Sequence, residues 1–121
     1  MEKPHKKLDV WRLAMDLVID VYKVTEGFPK EEKFSLTDQI RRSVISIPSN
    51  IAEGAARNTR KEFINFLHIA QGSLSELDTQ MELARRLGYL KEECWSELNI
   101  VMERIDKMLT GLIRHQRSPN D

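Results

Sequence analysis

Cysteine is nearly missing from this 121-residue sequence: Cys94 stands alone, which excludes an internal disulfide framework or a cysteine metal cluster. Glycine and proline are scarce, at five and four residues, so collagen-like and low-complexity architectures are excluded and long helices are favoured. No apolar run approaches the ~20 residues that span a bilayer, and the opening stretch 1–7 has no apolar core of the kind a signal peptide carries. Excess charge of either sign is also absent. Nineteen Lys and Arg balance nineteen Asp and Glu, so no global basic field points to nucleic acid or to an anionic membrane. With 40% hydrophobic residues the chain is too apolar for disorder, and its length suits one domain. A single helical domain in a reducing cytoplasm, without membrane attachment, is expected, and any electrostatic argument must be local.

What is present is helical periodicity. From Leu8 to Val24 the charged residues Asp9, Arg12, Asp16, Asp20 and Lys23 fall on one narrow stripe. The apolar remainder is wider than the roughly 100° face that one core needs, so part of it is expected to be hidden elsewhere. Gly27 reads as a left-handed stop to a helix over 8–25. A second helix is expected over 35–57, with Ser35 as its cap and Leu36, Ile40, Val44, Ile47, Ile51 and Ala55 at helical spacing. Pro48 lies inside it. Lacking an amide hydrogen, and with its ring against the Val44 carbonyl, it predicts a kink rather than a break, because the apolar spacing continues through it. Asn50 and Glu53 are placed to bond the carbonyl so freed or a neighbouring chain.

Thr59 and Glu62 form a capping-box pattern that opens a third helix over 60–87. Phe63, Leu67, Ala70, Leu74, Leu77, Met81 and Ala84 alternate by four and three, a seam suited to bundle packing. Gly88 reads as the residue beyond its end, with Tyr89 folding back on Ala84. A fourth helix over 91–114 shows Cys94, Leu98, Val101, Ile105, Met108 and Leu112 on a matching seam, and the tail from His115 shows no pattern. Short connections make the expected fold all-α, an antiparallel up-down-up-down four-helix bundle forming one domain over 1–121.

Signals for catalysis are poor. His5, His68 and His115 are far apart, no predicted helix carries a Glu-x-x-His pair, and no glycine-rich phosphate loop occurs. His68 reads as a packing or interface histidine and Cys94 as a small hydrophobe. No enzyme activity, cofactor, metal or small-molecule substrate is expected. Gly54 and Gly72 each cost a helix interior about 1 kcal/mol relative to alanine, and the Gly72-Ser73 step is the expected point of close backbone approach, within the bundle or across a subunit boundary.

The bundle topology makes the basic residues informative. It brings Lys3, Lys6, Lys7, Arg57, Arg60, Lys61, Arg114 and Arg117 to one end, opposed by Glu2, Glu62 and Asp121. Arg57, Arg60, Lys61, Lys6, Lys7, Arg114 and Arg117 are therefore the candidate nucleic-acid-binding residues, with phosphate attraction growing with the number of copies in an assembly. Arg41 and Arg42 lie ~22 Å away along a helix, at 1.5 Å per residue, and are expected to form a separate patch or to pair with acids between subunits.

The runs Leu8-Asp9-Val10-Trp11, Leu36-Thr37-Asp38-Gln39-Ile40-Arg41-Arg42-Ser43, Ser46-Ile47-Pro48-Ser49-Asn50-Ile51-Ala52-Glu53-Gly54 and Gly72-Ser73-Leu74-Ser75-Glu76-Leu77 carry a resemblance. From about Leu8 to Leu112 the sequence resembles the four-helix-bundle proteins related to the 23S rRNA intervening-sequence proteins of bacteria. The resemblance implies a homopentameric ring, which would cover the wide apolar face of the first helix. The sequence is also similar to the accessory variability determinants of diversity-generating retroelements, which implies binding of RNA or DNA and of a reverse transcriptase. No catalytic residues belong to the family pattern.

Overall fold

In the computed structural model, which describes residues 3–117, a 3-10 turn over Pro4–Lys7 leads into α1 (Asp9–Thr25). A second 3-10 turn over Lys30–Glu32 leads into α2 (Leu36–Ala55), followed by α3 (Arg60–Arg86) and α4 (Glu92–Gln116). The described residues thus form an all-α fold of four helices without strands. The helices pack as a closed square, α1 on α2, α2 on α3, α3 on α4 and α4 on α1.

Burial follows the apolar periodicity. Val10, Ala14, Leu17 and Val21 of α1 meet Ile40, Val44, Ile47 and Ile51 of α2. The α3 seam is buried from Leu67 through Ala70, Leu74, Leu77 and Met81 to Ala84. On α4 the buried line is Leu98, Met102, Ile105, Leu109 and Ile113, while Cys94, Val101, Met108 and Leu112 are only partly covered. The expected α4 seam is therefore rotated. An undistorted helix drifts ~20° per heptad from a 3.5-residue repeat, so neighbouring positions take over toward the C-terminus.

The helix ends show which local signals hold. Thr59 Oγ1 accepts the Glu62 amide at 3.1 Å and donates to Glu62 Oε1 at 3.2 Å, a cap of the kind worth about 1 kcal/mol. At the far end of α3 the amides of Gly88 and Tyr89 donate to the carbonyls of Arg85 and Ala84 at 3.0 and 2.9 Å, and Gly88 has φ +81°. That is a Schellman motif, and glycine suits its left-handed residue.

Two expected boundaries are corrected. Gly27 does not adopt a left-handed conformation, since Gly88 is the one described glycine at positive φ. The chain instead turns through hydrogen bonds from Gly27 to Val24 and from Phe28 to Thr25, which bury Phe28. Ser35 does not cap α2 with its hydroxyl, because that hydroxyl donates to Glu32 Oε1, and the same carboxylate oxygen accepts the Leu36 amide at 3.4 Å.

Glu32 also accepts the Tyr89 hydroxyl at 2.9 Å, tying the α1–α2 connection to the α3–α4 turn. The hydrogen bonds from Ser35, then Tyr89, then the Leu36 amide hold its carboxyl below the ordinary carboxylate range. A group whose pKa is lower folded than unfolded contributes stability above its unfolded value and loses it as pH falls through the folded one. Tyr89→Phe is thus expected to lower the melting temperature at neutral pH, with the gap closing as pH drops below the ordinary carboxylate range. Thermal melts of both proteins across that range check it.

α2 runs through Pro48 as one helix. Neither Asn50 nor Glu53 reaches the Val44 carbonyl that proline leaves without a donor: Asn50 Nδ2 donates to the carbonyl and hydroxyl of Ser46, and Glu53 pairs with Arg57. Between α2 and α3, Ser43 Oγ donates to Glu76 at 2.8 Å and the hydroxyls of Ser46 and Ser73 share a 2.8 Å hydrogen bond. The close backbone approach is at Gly54, where an added Cβ would lie 2.7 Å from Phe66 Cβ and 3.3 Å from the Phe63 carbonyl oxygen. Gly72 faces open space, so the expected approach at Gly72-Ser73 is not made within the chain.

Candidate functional site

Three grooves follow one another along the furrow between α3 and α4. At the end where α3 starts and α4 finishes, Arg60, Lys61, Ile64, Asn65 and Arg117 line a space of about 470 Å³. Next to it, His68, Gln71, Thr110, Ile113, Arg114 and Arg117 enclose about 210 Å³. Arg117 belongs to both, and its Nη2 lies 3.3 Å from His68 Nε2. Arg60, Lys61, Arg114 and Arg117 are thus brought together on one exposed face by the start of α3 and the last turn of α4. The Thr59 cap fixes where α3 begins and hence where Arg60 and Lys61 emerge.

Other candidates lie elsewhere. Arg57 is half-exposed and pairs with Glu53 at 3.0 Å, while its guanidinium carbon sits 4.9 Å above the Phe66 ring. Lys6 and Lys7 are exposed on the 3-10 turn that packs against α1 and α2, and neither lines the two basic grooves. The Lys6 carbonyl accepts Arg12 Nε at 3.0 Å. Lys3 is exposed at the head of that turn. The opposing acids Glu2 and Asp121 lie outside the described residues; Glu62 is committed to the Thr59 cap.

Arg41 and Arg42 are indeed apart from this end, and both find partners within the chain. Arg41 donates to Thr25 Oγ1 at 3.0 Å and stacks 4.5 Å over Tyr22, and Arg42 pairs with Asp38 at 2.9 Å. At the α3–α4 turn Arg85 bridges Glu82 and Glu92 beneath the Trp95 ring. Its hydrogen bonds, with those of Arg86, hold the Glu82 carboxyl below its ordinary range.

His68, which reads from sequence as a packing or interface histidine, does not pack in the core: it is exposed beside Arg117. It belongs with Asn65 and Gln71 to the groove linings that the basic residues alone do not reveal. The available signal was helical spacing: Lys61, Asn65, His68 and Gln71 form a polar stripe on α3, and Thr110 and Arg114 on α4 continue to Arg117 just beyond its end. Among the described residues no group of histidine, cysteine and carboxylate side chains could hold a metal ion, and no helix is long and apolar enough to cross a membrane.

A solved structure with this fold is a protein with unknown function from the S23 ribosomal protein family of Bacteroides thetaiotaomicron. It superposes with a TM-score of 0.80 at 29% identity, over 87% of this chain and 95% of that one. No curated protein matches significantly. The family model described as 23S rRNA-intervening sequence protein matches residues 6–111, nearly the whole four-helix unit just described, and the chain belongs to that family.

Proposed function

We propose that this chain is a non-enzymatic, cytoplasmic four-helix bundle of antiparallel up-down-up-down topology that self-associates and binds nucleic acid, structured RNA first, through its basic end. The observation that carries the reading is the convergence of Arg60, Lys61 and Arg117 on one groove, extended by Arg114 through the shared Arg117. Phosphate binding rewards clustered cations, because each neutralised phosphate releases counterions. Opposite ordering of partners supports the topology: Ser43 meets Glu76, Ser46 meets Ser73, and Gly54 meets Phe63 and Phe66. Self-association, as a pentamer by the family resemblance, is supported by apolar surface left uncovered on α1, where Met15 and Ile19 are 40% and 54% exposed.

Changing Arg57, Arg60 and Lys61 together to Gln is expected to weaken binding of structured RNA several-fold or more and to flatten its salt dependence by ~0.9 per lost phosphate contact. Helicity and assembly should be unchanged. Titrations at two or more salt concentrations check it; unchanged affinity and slope would remove this end from the interface.

A second reading, a scaffold for a protein partner such as a reverse transcriptase, draws on a different face. Trp11, Met15 and Val18 of α1 and Ile45, Pro48 and Ala52 of α2 line an apolar groove of about 370 Å³. A protein that ignores RNA at low salt yet retains such a partner would favour it.

A further inference from the structure

The α3–α4 furrow changes sign along its length. At the inner end of the second basic groove, Gln71 Nε2 reaches across to Thr110 Oγ1 at 3.0 Å and to Asp106 at 3.4 Å. On the far side of this bridge the furrow opens to about 400 Å³, lined by Leu74, Ser75, Asp78, Thr79, Asn99, Met102, Glu103 and Asp106. Three of those residues are acidic and exposed, and none is basic.

We propose that the Gln71–Thr110 bridge is a stop for a polyanion, which enters the furrow only from the Arg60 end, crosses the end of the bundle and is refused the acidic half. The inference rests on the basic end binding nucleic acid and adds where that contact ends.

Distances make the boundary sharp. Arg60 to Gln71 spans eleven residues, ~16 Å of helix, and Gln71 to Asp78 only ~10 Å, at 1.5 Å per residue. The second length is about one Debye length at 0.1 M salt. A phosphate advanced past Gln71 would move away from Arg114 and Arg117 and toward Asp106, Glu103 and Asp78, within the range where repulsion is least screened. Direct repulsion therefore limits each subunit's contact to a short segment of strand.

The test neutralises the acidic half in the full chain, as D78N/E103Q/D106N, and separately places a cation at the bridge, as Q71K. Binding of oligouridylates of stepped length is measured at several salt concentrations. Both variants are expected to steepen the salt slope, by ~0.7 for each single-strand phosphate newly contacted, and to lengthen the oligomer at which affinity stops rising. D16N/D20N, which removes two exposed acids from α1, is expected to change neither. An unchanged slope and length in both furrow variants, with wild type binding normally, would overturn the stop alone. An equal response in D16N/D20N would also overturn it, since net charge rather than the furrow would then be responsible. Wild-type protein that binds no oligouridylate or structured RNA at low salt would overturn the basic-end reading together with the stop.

Discussion

Gly54→Leu is expected to remove about 3 kcal/mol or more of folding stability, at or beyond the upper end of ordinary overpacking. The reason is the atom that the new side chain would meet. At 2.7 Å the first obstacle is Phe66 Cβ, anchored to the α3 backbone and unable to rotate away, and the Phe63 carbonyl oxygen behind it is backbone as well. Only Phe63 Cδ1, at 2.9 Å, belongs to a ring that can move. α2 and α3 would have to separate. Even Gly54→Ala, which gains about 1 kcal/mol of helix propensity, is expected to lose stability on balance. Gly72→Ala supplies the contrast: with no atom within 4 Å of the added methyl, it is expected to gain roughly 0.5–1 kcal/mol in the middle of α3. Denaturant midpoints at unchanged slope check all three, and a stabilised Gly54→Ala would mean that the helices can part at this point without loss.

Leu77→Ala is the other large effect, expected at about 2–5 kcal/mol. Leu77 is fully buried about two thirds of the way along α3, within the core shared by all four helices. Truncation there removes transfer energy and leaves a void that the fixed helix axes cannot close. Against a typical total of ~5–15 kcal/mol the loss approaches unfolding. Because Leu77 lines none of the basic grooves, RNA affinity per folded molecule should be unchanged, which calorimetric melting beside a binding titration can separate. A loss below ~1 kcal/mol would mean that the core collapses around the site.

How much could be read from sequence depended on how local the deciding contact is. The Thr59–Glu62 cap and the Gly88–Tyr89 motif are legible because each is settled within one turn of chain. Gly27 and Ser35 are misread for the opposite reason: burial of Phe28 and the competing carboxylate of Glu32 decide those turns, and neither follows from the residue type at the boundary. On α4 the neighbouring positions Met102 and Leu109 are as apolar as Val101 and Met108 of the expected seam, so only packing could choose which pair is buried. The basic end was partly legible. Arg60 and Lys61 are sequence neighbours, but their meeting with Arg117, and that of Arg117 with His68 forty-nine positions earlier, exists only after α3 and α4 pack.

The polar pairs between α2 and α3 bear on which packing the chain adopts. Slipping α3 along α2 by one helical turn, ~5.4 Å, would still bring leucine against isoleucine, so the hydrophobic effect, being non-directional, scarcely distinguishes that state from the native one. The slip would, however, part Ser43 from Glu76 and Ser46 from Ser73, and would carry the Gly54 notch away from Phe66. Partly buried hydroxyls and a carboxylate would then lose their partners while an aromatic side chain met a full-sized neighbour. Two hydrogen bonds of modest worth and one missing methyl group thereby select a single register from several that the greasy seam alone would accept.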